Sequence, residues 1–402
     1  MSRRSKIASN YNSAKERQNI SDETLKYYSA TQWQLIWRRF KKHKLALVGG
    51  SVLIFMFFVG AFSGFLAPYG KTTRDGNYVM GPPQIPRFWS SEGFSLRPFV
   101  YGIKTERDPV TLRPIPVVDK SVRRPIYFFV RGEEYKLLGL FKTNIHLFGL
   151  YKDSSLLIEH KETTGVQKIE MIHIFGTDEL GRDIFSRLLF GTWTSLTIGF
   201  LGVLIAFFLA LIIGGVAGYY GGWVDYGVQR FTEVIRVIPV IPLYMGLAAA
   251  FPKEWTTKQV YFAMTLILGL IGWPTLARRI RGKLLSLRDE DYVVAARLAG
   301  AKPIRIIFRH MLPSFASYII VDLVISFPYM ILTETALSFV GLGLRPPVVS
   351  WGVLMQNAQN IRAIQQAPWL FIPAIFVVIS VLSFILLGCL LYTSDAADEL
   401  DG

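Results

Sequence analysis

The residues best suited to chemistry gather in one run, DYVVAARLAGAKPIRIIFRHMLP, from Asp291 to Pro313. It carries five basic side chains, Arg297, Lys302, Arg305, Arg309 and His310, around one glycine, Gly300. Helix-forming residues continue to Leu298, break at Gly300 and resume at Lys302-Pro303, where proline fits a first helical turn. The spacing predicts two short helices hinged at a glycine. Val294, Ala295, Leu298 and Ala299 form a small apolar stripe at helical spacing, and Ala295-Ala296 keep the surface flat enough for a partner. Two readings are open on the residues alone. Either the stripe receives another protein, or the basic groups hold an amphipathic loop on lipid headgroups.

Other ionisable groups stand inside apolar runs. Asp322 lies in such a run, where a carboxylate costs about 2.5–3.5 kcal/mol on insertion scales, so it must face protein or water. It lines a path for a solute or bonds a neighbouring helix. Glu334 reads first as a loop-fixing residue and second as a path residue, and Arg236 is open in the same way. GTDELGRD carries Asp178, Glu179, Arg182 and Asp183. Asp178 and Glu179 are expected to cap and charge the start of a short interfacial helix rather than to act as a catalytic carboxylate pair. The five histidines are scattered without an H-E-x-x-H pattern, so no metal site is expected. Gly70-Lys71-Thr72 ends like a phosphate-binding loop, but Phe65 stands where its first glycine belongs. No catalytic residue and no cofactor are assigned to this chain.

These groups sit between runs of apolar residues about twenty long, the length a helix needs to cross ~30 Å of hydrocarbon. The runs are Leu45–Ala67, Thr194–Tyr220, about Val228–Phe251, about Tyr261–Ala277, about Ala316–Leu337 and about Leu370–Leu391. The fold class is therefore an all-α polytopic membrane protein with six transmembrane helices, one N-terminal and five in a core spanning 191–391. The net charge of +15 excludes little by itself, but its placement does. Eleven Lys or Arg fall in residues 1–44 and nine in 278–309, both beside spans, which is the positive-inside pattern. No nucleic-acid partner is expected. Residues 1–44 are expected in the cytoplasm, the first span acts as an uncleaved anchor, and the loop 288–313 falls on the cytoplasmic side. Residues 68–190 fall outside. Within them, about 76–170 reads as a small β-rich insertion, with a hairpin turning at Arg131-Gly132-Glu133.

The loop resembles the cytoplasmic "EAA" loop of binding-protein-dependent ABC importer permeases. That pattern is an Ala-Ala pair, a glycine four residues on, then Arg-His and Pro. Ala295, Ala296, Gly300, Arg309, His310 and Pro313 stand at those places, with Val294 where the pattern has glutamate. FGTDELGRDIFSRLLFG, GYYGGWVD, ETALSFVGLGLRPPVVSWGVLMQNA and APWLFIPA are similar to the C-type permeases of dipeptide, oligopeptide and nickel importers. The resemblance implies a transport subunit in a bacterial inner membrane, working by alternating access. It implies a second homologous permease, two ATP-binding subunits that hold ATP and Mg, and an extracytoplasmic substrate-binding protein. It makes Val294, Ala295, Ala296, Leu298, Gly300, Ala301, Arg309, His310 and Pro313 the ATPase-coupling residues, and leaves Asp322, Glu334 and Arg236 as path candidates. A secondary transporter and a non-transporting scaffold are the rival readings. The last residues, CLLYTSDAADE from Cys389, depart from the family and look like a translated sequencing adaptor, so 389–402 is expected to be a non-native tail.

Overall fold

The structure is a computed structural model that describes residues 41, 44–76, 78–90, 93–107, 114–150, 171–252 and 254–400. Residues 151–170 of the expected insertion and most of the N-terminal segment lie outside the described residues. Helix α1 (Lys44–Ala61) leads into a short turn of helix, Ser63–Leu66. Strands β1 (Arg87–Ser90), β2 (Gly93–Arg107), β3 (Pro114–Pro125), β4 (Tyr127–Leu137) and β5 (Phe141–Gly149) follow. The helices α2 (Ile184–Tyr220), α3 (Gly222–Val237), α4 (Val240–Ala249), α5 (Thr257–Leu287), α6 (Asp291–Leu298), α7 (Ala316–Phe339), α8 (Trp351–Met355) and α9 (Ile372–Leu400) complete the chain.

Among the described residues five helices are long and apolar enough to cross a membrane: α1, α2, α5, α7 and the segment Pro368–Gly388. The expected third span is not one straight helix. It is the pair α3 and α4, bent by 77° at the break before Pro239, and counting it as one span gives six. The bend has a local cause, because Ile238 precedes a proline and is extended (φ −70°, ψ 126°). Helix α2 runs for 37 residues, well beyond the expected start at Thr194. It is not opened by Asp178 or Glu179. Its cap is Asp183, whose carboxylate accepts from Ser186 N at 2.7 Å.

The spans pack through small residues. A Cβ at Gly214 would stand 2.5 Å from the Ala277 carbonyl, and one at Gly218 would stand 2.8 Å from Leu284 Cβ, so α2 and α5 meet backbone to backbone there. At the end of the bundle nearest the Asp291–Pro313 run the core holds Ala210, Leu276, Ile280, Leu284, Val293, Ile306 and Met311.

The strands form two antiparallel units, a sheet ordered β1-β2-β3 and the hairpin β4-β5. The turn of that hairpin is not at Arg131-Gly132-Glu133. It is at Leu138-Gly139-Leu140, where Leu138 (φ 51°) and Gly139 (φ 75°) take the left-handed backbone that tight hairpins require. Arg131–Tyr135 instead carries a bulge, opposite Ile145–Thr143. A small core of Val100, Ile126, Leu150 and Ile172 joins the strands.

Candidate functional site

The run from Asp291 to Pro313 folds as two helical pieces around a fixed turn. Asp291 opens α6 and Arg297 closes it, each charge matched to the helix dipole. After Leu298 the chain makes a complete Schellman cap: Gly300 N donates to Arg297 O at 3.0 Å and Ala301 N to Ala296 O at 3.1 Å. Gly300 has φ 75°, and nothing lies within 4 Å of a Cβ built on it. Its need for glycine is therefore conformational and not one of space. Pro303 then starts the second piece at its first helical position. Ile306–Met311 is a π-helical turn, with Leu312 N reaching Ile307 O. Pro313 explains the widening, because it lacks an N–H and its ring crowds the carbonyl four residues back.

Val293, Ile306, Ile307 and Met311 are buried against Leu284 and Ile280 of α5, which clamps the loop to that span. Val294, Ala295 and Leu298 face outward, as do Ile304 and Phe308; Leu298 is 85% exposed and Ile304 72%. Of the expected coupling residues, Ala296 and Ala301 do not share that face. They are partly buried and pack inward on the same core. Arg309 and Pro313 are exposed and His310 is half-buried. The outward apolar face extends beyond α6 to Ile304 and Phe308 of the second piece, which the stripe in the sequence did not include.

The loop is also tied to the preceding turn. Gly221 and Gly222 both take positive φ, and Asp225 behind them pairs with the guanidinium of Arg281 on α5. Arg297 of α6 stands over the Tyr219 ring at 5.7 Å.

Higher in the bundle, a cavity of about 420 Å³ opens between α2, α4, α5 and α7. Val203, Tyr244, Thr275, Arg279, Ser326 and Tyr329 contribute to its wall. That size falls in the range of small-molecule sites. Asp322 lies beside it, buried, and pairs with Arg279, so a carboxylate on α7 bonds a cation on α5. In sequence Arg279 reads as one of a basic cluster, and only the fold sets it on the cavity wall. Its Nε is buried without a hydrogen-bond partner among the described residues.

Glu334 and Arg236 do not line this cavity. Glu334 is fully buried and accepts from Ser338 Oγ at 2.8 Å and Ser195 Oγ at 3.3 Å. Ser195 Oγ in turn accepts from Trp351 N at 3.1 Å, so Glu334 ties α7 to α2 and α8. Arg236 is exposed in the last turn of α3, next to the bend.

A second polar cluster stands at the other end of α2. His173 is fully buried, with Nδ1 3.1 Å from Asp183 and Nε2 3.4 Å from Asp75, and its ring stacks on Tyr78 at 5.1 Å. Burial opposes charge on the ring, but the two carboxylates outweigh it and raise the His173 pKa. Asp178 accepts from Leu180 N, Arg182 N and Arg182 Nε and pairs with Arg187. Among the described residues no group of three or more His, Cys, Asp or Glu is arranged to hold a metal ion.

Residues 202–393 match the family described as the binding-protein-dependent transport system inner membrane component, and 31–83 match the N-terminal TM domain of oligopeptide transport permease C. The dipeptide transport system permease protein DppC of Alkalihalophilus pseudofirmus is 34% identical over 245 residues, 61% of this chain and 78% of that protein. The chain belongs to this permease family. Its glutathione-named relative, the transport system permease protein GsiD of Pectobacterium atrosepticum, is 32% identical over 291 residues, 70% of the permease and 94% of that protein. The oligopeptide permease OppC of Bacillus subtilis is 35% identical over 217 residues, 54% of this chain and 68% of its own length. The permease is a multi-pass inner-membrane protein and a transport component.

Proposed function

We propose that the permease is one half of the channel of an ATP-driven importer for peptides or similar small solutes, and that Asp291–Pro313 couples it to the ATPase. The observation that carries this reading is the loop's two-faced build. Val293, Ile306 and Met311 weld it to α5, while Val294, Ala295, Leu298, Ile304 and Phe308 remain outward for a partner. A push on the outward face is thus delivered to α5. Helix α5 carries Arg279 on the cavity wall and meets Asp322 of α7. Movement of α5 changes the cavity and the contact with α7 together, which is what alternating access needs.

In this reading the partners are a second homologous permease, two ATP-binding subunits that hold ATP and Mg, and an extracytoplasmic substrate-binding protein. The N-terminus lies in the cytoplasm. This chain holds no cofactor and performs no hydrolysis. Arg279, with its buried Nε, replaces Glu334 and Arg236 as the group on the solute path, and a peptide carboxylate is the chemistry it suits. The insertion at about 76–170 helps dock the substrate-binding protein. The relatives named for dipeptides, oligopeptides and glutathione support the substrate class.

The test is reconstitution with the partners in vesicles. Gly300→Val forces a β-branched residue into left-handed backbone, which costs roughly 1–2 kcal/mol and reorients Leu298 against Ile304. Transport and substrate-stimulated ATP hydrolysis should fall together while insertion into the membrane persists. If coupling survives Gly300→Val and fails instead on loss of Arg305 and Arg309, the loop rests on lipid and the coupling role is refuted.

A further inference from the structure

We propose that the tip of the β4–β5 hairpin, Leu137–Phe141 with Lys136 and Lys142 behind it, is seated in the outer leaflet of the bilayer and binds anionic lipid. This goes beyond the coupling and docking roles above and rests on the proposed orientation that puts the strands on the outer side.

The first observation is direction. Phe148, at the far end of β5, packs on Phe185 in the first turn of α2, with ring centroids 5.8 Å apart. Two residues nearer the tip, His146 lies 2.6 Å from the carbonyl of Ala67. Nearer still, Tyr135, two residues past Glu133 and paired with Thr143, packs on Gly64, where a Cβ would overlap its ring. Gly64 is one turn beyond Gly60 of span α1, and Gly60 lies against Trp193 of α2. The hairpin therefore descends along α1 from the start of α2 toward the bilayer, and its tip extends past Tyr135. Helix α2 is 37 residues long, roughly 55 Å, against ~30 Å of hydrocarbon, so its outer turns and the hairpin beside them reach the headgroup zone.

The second observation is continuity with the lipid-facing surface of α1. Phe58 is exposed on α1 and meets Phe62 in a tilted pair at 4.5 Å, and Phe65 meets Phe129 of β4 at 6.2 Å. An aromatic ladder thus runs from the span's outward face onto the hairpin, as aromatic belts do at membrane interfaces.

The third is the chemistry of the tip. Leu138, Leu140 and Phe141 are exposed, Leu140 at 76% and Phe141 at 66%. Directly behind them Lys136 and Lys142 are exposed cross-strand partners. Like charges placed opposite each other destabilise a hairpin unless something anionic sits between them. Apolar side chains at the tip and paired ammonium groups one residue behind match acyl chain and phosphate in depth order.

The experiment uses the full chain assembled with its partners, with Cys389→Ser and one new cysteine carrying an environment-sensitive fluorophore. Leu140→Cys is compared with Leu96→Cys, which lies on β2 and is 90% exposed. In vesicles of phosphatidylethanolamine and phosphatidylglycerol, the probe at 140 should emit blue-shifted. It should be quenched by lipid-borne spin label and be several-fold less sensitive to aqueous iodide than the probe at 96. Lys136→Glu with Lys142→Glu should reverse most of that protection, and replacing phosphatidylglycerol by phosphatidylcholine should weaken it in the parent only. Iodide quenching at 140 equal to that at 96 overturns the proposal. So does protection that appears only when the substrate-binding protein is added, which would make the tip a protein contact.

Discussion

Removing one exposed leucine should uncouple the permease without unfolding it. Leu298 is 85% exposed at the end of α6, so Leu298→Ala takes almost nothing from the folded chain, within about 0.5 kcal/mol for a surface change. If that side chain fills a groove on the ATPase, its burial is worth about 1.5–3 kcal/mol. At about 1.4 kcal/mol per decade the ATPase subunit then binds roughly ten- to one-hundred-fold more weakly. Val293→Ala is the inward control. Val293 is fully buried beside Leu284 and Ile306, and losing two methyl groups at ~0.8 kcal/mol each costs the permease roughly 1–2 kcal/mol of folding. Three measurements separate the pair: thermal unfolding of the solubilised permease, titration with purified ATPase subunit, and stimulated ATP hydrolysis in vesicles. Leu298→Ala should lower affinity and coupling at unchanged melting temperature, and Val293→Ala should lower the melting temperature first. Wild-type affinity and coupling in Leu298→Ala would falsify the docking face.

Gly214→Leu should lower the melting temperature by overpacking α2 on Ala277, at a cost of about 1–3 kcal/mol, whereas Gly282→Ala, with open space around it, should leave it level or raise it. For His173 the folded pKa lies above the ordinary 6.5, so its bonds to Asp75 and Asp183 contribute stability that is complete below 6.5 and is lost as pH rises through the folded value. Unfolding followed across that window should show the wild type losing its advantage over His173→Asn as pH rises, and a constant gap would refute the assignment. A cysteine at 322 should react with a lipid-soluble label far more slowly than one at exposed Phe58, and equal rates would place Asp322 on the lipid face. Deleting 76–170 should leave ATPase assembly intact and weaken stimulation by the loaded binding protein, and unchanged stimulation would remove the docking role.

The spans were legible because their apolar runs are long and their basic flanks stand at the loop. The helix–Gly300–Pro303 break was legible for the same kind of reason, since each residue has a narrow backbone preference. What escaped depended on register or on distant partners. The turn at Gly139 lost to Gly132 in the sequence because both glycines sit among aromatic and β-branched residues, and only strand pairing shows which one reverses the chain. Asp183 outcompeted Asp178 as the cap because Asp178 is consumed by Arg182 and Arg187. Arg279 was hidden in a cluster that charge counting assigns to the cytoplasm, although Asp322 draws it to the cavity wall.

That placement of Arg279 bears on how one helix can serve two tasks. Helix α5 runs 31 residues, from a capping box at Thr256 and Gln259 to Leu287, where the Asp291–Pro313 loop is clamped. Pro274 interrupts its ladder one turn before Arg278 and Arg279. A proline inside a helix removes one hydrogen bond and is where such helices bend. The loop and the Asp225–Arg281 pair load the segment below Pro274, while Gly269 is locked against Ile205 above it, where a Cβ would stand 2.6 Å away. A displacement applied at α6 therefore meets a stiff contact above Pro274 and a weakened ladder at it. Under the proposed coupling the lower half of α5 would swing at Pro274, and Arg279 is the charged group on that half that lines the cavity. Pro274→Ala should restore the ladder, stiffen the helix and reduce transport more than it reduces ATPase binding. Equal loss of both, measured in the same vesicles, would mean that α5 moves as one rigid rod.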